Sequence, residues 1–97
     1  MSRSLIERRL RETSQRLKRA RDELAVIEEQ LAALADAAEE ARLRALVSET
    51  PLANREYQDA QRHADAMDRS RQTVLASITE LQTTQDGLLD RLVIESH

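Results

Sequence analysis

The 97-residue chain contains no cysteine, tryptophan or phenylalanine, and only one glycine, one proline and one tyrosine. Without cysteine, the chain has no disulfide, no thiolate metal ligand and no thiol nucleophile. With one glycine, it has no glycine-rich phosphate loop. Substrate pockets need turn-forming loops and usually aromatic walls, and both are scarce here. We therefore expect a protein that is not an enzyme, with no catalytic residue, cofactor or metal site.

Long hydrophobic runs are also missing. No stretch approaches the length of a membrane-spanning helix, and no apolar segment follows the basic N-terminus as it does in a signal peptide. These features predict a cytoplasmic protein that does not enter a membrane. Lys18 is the only lysine among fifteen basic residues, which indicates GC-rich coding and favours a bacterial source.

Alanine, leucine, arginine and glutamate dominate the sequence, as they do in long helices and coiled coils. Apolar residues recur with a seven-residue period through the first half, and only Arg3 and Thr13 interrupt them. Such persistence predicts one coiled-coil helix over about residues 3–48. The other positions of this seam are Ile6, Leu10, Leu17, Ala20, Leu24, Ile27, Leu31, Leu34, Ala38, Ala41 and Ala45.

The pair Thr50-Pro51 predicts a corner. Proline disfavours helical geometry at the residue before it, so the first helix must end before Thr50. Thr50 then suits the N-cap of a second helix, and Pro51 suits its first position. We expect a turn at 49–51 and a second helix over about residues 51–94, with a second apolar seam that is antiparallel to the first because the connection is short.

The predicted fold is therefore all-α: a single domain, residues 1–97, that forms a long antiparallel two-helix coiled-coil hairpin. Folding the chain at the corner places small residues opposite small ones near the corner, as with Ala41 and Ala60, and pairs Leu24 with Ile78 further away. One seam between two helices is a thin core for so many ordered residues. We therefore expect two copies to associate as a homodimer, in a four-helix bundle.

Arg71 and Gln85 are polar residues at seam positions. Such residues commonly fix the register and partner number of a coiled coil, and the Arg71 side chain is long enough to extend toward Glu28 or Asp68. The alternative is that Arg71 reaches a partner. His63 follows Asp59 by one turn, but two ligands on one helix do not make a metal site.

Two groups of mostly apolar residues lie outside the seam, and exposed apolar patches commonly mark association surfaces. The tip of a stiff hairpin is able to enter a cleft, so we predict that the group at the corner contacts a partner protein. This predicted tip comprises Leu43, Leu46, Val47, Glu49, Leu52, Asn54 and Arg55. For self-association we predict the residues at the other end, namely Leu5, Leu89, Val93 and Ile94.

Charge is unevenly distributed, although the formal net charge is only -3. Residues 1–22 carry eight basic and three acidic groups, and the rest of the chain is acidic. We expect the acidic C-terminal third to offset this basic stretch, within one chain or between subunits. The alternative is nucleic-acid binding by the basic stretch, but that stretch has no aromatic residue for base stacking. Nucleic acid is therefore not the partner we expect.

The start of the second helix resembles the coiled-coil tip of Gre-type transcript-cleavage factors, which read D-L-S-E-N-A-E-Y-x-x-A-K. Asn54, Glu56, Tyr57 and Ala60 match this motif, and the leucine matches after a one-residue deletion. The acids that hold a metal ion in that family are not kept, and Glu49 is the nearest substitute. The resemblance implies a regulator that binds the secondary channel of RNA polymerase without cleavage activity. We keep this as an alternative to the main prediction, a non-enzymatic protein-interaction or assembly module.

Overall fold

The computed structural model describes residues 2–96, and these residues form two long α-helices. Helix α1 spans Arg3–Ser48 and helix α2 spans Pro51–Glu95. The all-α helical hairpin is confirmed. Both predicted boundaries at the corner are confirmed as well, and α2 continues one residue further than expected at its C-terminal end.

Capping explains where both helices begin. The hydroxyl of Ser2 accepts a hydrogen bond from the Leu5 amide at 3.2 Å. At the corner, the Thr50 hydroxyl accepts one from the Ala53 amide at 3.1 Å. Each bond satisfies an amide that has no partner within its own helix. Thr50 is thus the N-cap of α2, as the sequence predicts.

The end of α1 has a feature that the sequence does not reveal. Glu49 has a positive φ of 54°, a left-handed conformation that usually belongs to glycine at this place. Its amide donates a hydrogen bond to the carbonyl of Ala45 at 3.0 Å, which closes the last turn. This single bond is the αL type of helix ending, formed here by a residue that has a Cβ atom.

The two helices contribute to two compact units. The terminal unit comprises the chain as far as Leu24 and from Val74 onward, and the corner unit is Ala25–Thr73. In the terminal unit the buried residues are Ile6, Thr13, Leu17, Ala20, Val74, Ile78, Leu81 and Leu88. In the corner unit they are Ile27, Ala38, Ala41, Ala53 and Ala64. Those in α1 all occupy predicted seam positions, and those in α2 follow the same seven-residue repeat.

The composition of the seam differs between the units. Alanines supply four of the five buried positions of the corner unit, whereas the terminal unit buries mostly larger aliphatic side chains, with Ile6 and Leu17 almost completely inaccessible. Larger side chains remove more apolar surface from water. Thr13, which interrupts the apolar pattern, is nevertheless buried. Among residues 2–96, no buried side-chain nitrogen or oxygen lacks a hydrogen-bond partner.

Candidate functional site: the corner and terminal surfaces

The corner surface is defined as Leu43, Leu46, Val47, Glu49, Leu52, Asn54 and Arg55, and every one of these side chains is exposed. Val47 is 86% exposed, and Leu46 and Leu52 are each 61% exposed. Beside them lies a groove of about 360 Å³, lined by Ala45, Glu49, Thr50, Pro51 and Asn54. The structure thus places aliphatic side chains next to a polar groove at a capped turn.

A charged side chain near the corner surface, that of Arg42, is paired within its own helix. Arg42, one turn before Leu46, is held by Glu39 through two hydrogen bonds of 2.9 and 2.7 Å. These bonds from Arg42 lower the pKa of the Glu39 carboxyl, and the positive charge adds to that effect. The same pairing raises the pKa of Arg42. The guanidinium is therefore directed to its own helix.

The end surface is defined as Leu5, Leu89, Val93 and Ile94. Ile94 is 70% exposed, Val93 59% and Leu89 45%. Leu5 differs from the other three, because it is only partly accessible. Three of these four predicted self-association residues therefore present aliphatic surface to solvent.

The two polar seam residues both contact α1, one in each unit. In the corner unit, Arg71 Nε lies 3.5 Å from Glu28 Oε1, which confirms the predicted direction of that side chain. In the terminal unit, the Gln85 amide donates a hydrogen bond to the hydroxyl of Ser14 at 3.1 Å. Each contact joins a seam position of α2 to a flanking position of α1. Their role in setting the register stays a prediction.

Within the terminal unit, the basic residues of the N-terminal stretch form no ion pair with the described acidic residues of α2. The ion pairs there are Arg3 with Glu7 and Lys18 with Asp22, and each lies within α1. No basic side chain of α1 in this unit comes within 4.0 Å of a described carboxylate of α2. Over the described residues, the two helices of this unit are therefore not joined by such an ion pair, and charge complementarity within the chain or between subunits stays a prediction. Arg16 of α1 and Glu80 of α2 nevertheless line the same groove of about 490 Å³.

Two further features were missed by sequence reasoning. Val26 is 54% exposed, although it lies near the middle of α1 and outside both predicted surfaces. Its outward heptad position was a sufficient signal. The second is a groove of about 250 Å³ in the terminal unit that Arg9 and Arg91 both line. Two single arginines more than eighty positions apart gave no signal of a shared groove.

Within residues 2–96, no three histidine, cysteine or carboxylate side chains are grouped so as to hold a metal ion. Neither helix, over the same residues, has an apolar segment long enough to cross a membrane. In comparisons with known proteins, no protein-family model, curated protein or solved structure matches the chain significantly.

Proposed function

We propose that this protein is a non-enzymatic interaction module that binds another protein through the corner surface. The observation that supports the proposal is the exposure of Leu46, Val47 and Leu52 beside a capped turn. Large aliphatic side chains that stay in water in a small protein commonly mark a contact surface. A turn that is already ordered loses little conformational entropy when it binds.

The partner we propose has an apolar cleft with a polar rim. Leu46, Val47 and Leu52 supply the apolar contact, while Asn54 and Arg55 supply polar groups at its edge. Burial of apolar surface is worth about 25 cal/mol per Å², so three such side chains are able to anchor a complex. Polar rims then contribute orientation more than affinity.

We further propose that the end surface joins two copies, in a homodimer that forms a four-helix bundle. Leu89, Val93 and Ile94 are the exposed aliphatic residues that this association would bury. The absence of cysteine and the arginine-rich composition support a bacterial cytoplasmic location. The two surfaces then have separate roles, one for a partner and one for self-association.

Site-specific photo-crosslinking tests the corner proposal directly. A photoreactive amino acid at Val47 is expected to yield one discrete crosslinked protein in cells of the source organism. Because Arg69 is exposed and lies away from both surfaces, the same amino acid at Arg69 is the matched control. L46S/L52S is expected to remove the crosslink at Val47 while leaving the helical content unchanged. An equal yield from both positions would contradict the proposal.

The resemblance to Gre-type tips supports one alternative, in which the partner is RNA polymerase. Asn54, Glu56 and Tyr57 lie in the first two turns of α2, beside the corner. The identity of the crosslinked protein distinguishes the two proposals. A polymerase subunit would favour the channel-binding regulator, and any other discrete protein would favour a general interaction module.

A further inference from the structure

We propose that Arg9 and Arg91 form a binding site for a phosphate group in the groove between the helices of the terminal unit. The site lies outside the corner surface and does not depend on the proposed function. Its ligand would be inorganic phosphate or a small phosphomonoester. The groove measures about 250 Å³ and is lined by Arg9, Thr83, Thr84, Gly87, Leu88 and Arg91.

The first argument is charge. Both arginines line one groove from opposite helices, and no carboxylate belongs to its lining. Over residues 2–96, neither guanidinium has a carboxylate within 4.0 Å. Two cations that share a groove repel each other, and a bound dianion would remove that repulsion. Guanidinium groups also match the geometry of phosphate oxygens, with two parallel hydrogen bonds from each fork.

The second argument concerns the neutral groups of the groove. The Thr83 hydroxyl already donates a hydrogen bond to the Thr79 carbonyl at 3.1 Å, so it is committed to its helix. The Thr84 hydroxyl has no such bond among the described residues and remains able to donate to an oxyanion. The groove therefore offers a hydroxyl donor in addition to its two cations.

The third argument is the single glycine of the chain. Gly87 lies within α2, where glycine is the least favourable residue after proline. A Cβ atom built at this position would meet nothing within 4 Å, so the packing of the hairpin does not require glycine. Because Gly87 lines the groove, its missing side chain leaves space there for a ligand.

Calorimetric titration and thermal unfolding with inorganic phosphate test this site. An exposed site with two guanidinium groups is expected to bind phosphate with a Kd on the order of 1 mM. At 20 mM phosphate this raises Tm by about 10 °C relative to sodium chloride of equal ionic strength. Glycerol 2-phosphate tests whether an ester is accepted. A Tm rise with phosphate alone would restrict the ligand to the inorganic ion.

Matched variants separate a specific site from a general salt effect. R9Q and R91Q are each expected to remove most of the phosphate-dependent Tm rise and to weaken binding at least tenfold. R8Q changes the charge by the same amount on the neighbouring residue, which does not line the groove, and is expected to keep the full effect. Each variant is first checked for unchanged helical content. A Tm rise that persists in the R9Q/R91Q double variant, or that disappears equally in R8Q, would overturn the proposal.

Discussion

The Gln85 side-chain amide donates a 3.1 Å hydrogen bond to the Ser14 hydroxyl, which links α2 to α1 within the terminal unit. Arg71 makes the corresponding contact to Glu28 in the corner unit. Ser14 and Glu28 are separated by the same number of residues as Arg71 and Gln85. The two polar contacts therefore use the same heptad register, each within its own unit. A coiled coil that keeps polar residues at such positions gives up stability in exchange for a defined register.

Replacing Gln85 with leucine tests whether the polar residue lowers stability while it fixes the register. Q85L is expected to raise the free energy of unfolding by about 1 kcal/mol, because an aliphatic side chain gains more from a half-buried seam position than the amide does. The same variant should also broaden the distribution of oligomers, since the polar contact no longer selects one register. Urea unfolding and size-exclusion chromatography measure the two effects. Q82L, at an exposed position three residues earlier, is the control and should change neither; a less stable Q85L would contradict the interpretation.

The left-handed conformation of Glu49 predicts a stabilising substitution. A residue with a Cβ atom costs about 1 kcal/mol in this conformation, whereas glycine adopts it without strain. E49G is therefore expected to raise the free energy of unfolding by about 0.5–1 kcal/mol. A37G, at an exposed position inside α1, is expected to lower it by a similar amount. Urea denaturation of both variants checks the pair, and a loss of stability in E49G would argue against this conformation.

Gly87 offers a second stabilising substitution, by a different mechanism. Because a Cβ atom there meets nothing within 4 Å, G87A should gain helix propensity without a steric cost. The expected gain is about 1 kcal/mol, measured by urea unfolding in phosphate-free buffer. A66G makes the reverse change at an exposed position in the same helix and should lose a similar amount. If G87A were destabilising, the groove would be tighter than the structure indicates.

The bonds from Arg42 to Glu39 predict a shifted titration. They lower the pKa of the Glu39 carboxyl below its ordinary value of 4.5, mainly because Arg42 hydrogen-bonds the charged form. The resulting stabilisation is present above pH 4.5 and is lost as the pH falls through the lower, folded-state pKa. Carbon-detected NMR titration of Glu39 should therefore show an inflection below pH 4.5. In R42Q the pKa of Glu39 should rise toward its ordinary value. The same pKa in both proteins would exclude Arg42 as the cause of the shift.

The secondary structure was predictable because its signals are local. Thr50 and Pro51 mark the corner through capping and through the missing amide of proline. The seven-residue repeat identifies the buried face without knowledge of the partner helix. The exposure of Leu46 and Val47 follows from the same repeat, since both lie off the apolar seam.

Other features depend on geometry that a repeat does not encode. Glu49 was missed as a helix-ending residue because the usual signal there is glycine or asparagine. The groove shared by Arg9 and Arg91 depends on which flanks of the two helices adjoin. Net charge along the sequence does not specify which acidic and basic side chains come within contact distance, because that depends on the direction of each side chain.

The central claim is that the corner binds a partner while the end surface joins two copies. Sedimentation equilibrium at micromolar concentration measures this division directly. The native protein is expected to sediment as a species heavier than the 11.1 kDa chain. V93S/I94S is expected to shift it to 11.1 kDa, and L46S/L52S is expected to leave the oligomer intact. A native species of 11.1 kDa, or an oligomer that dissociates in L46S/L52S, would contradict the account.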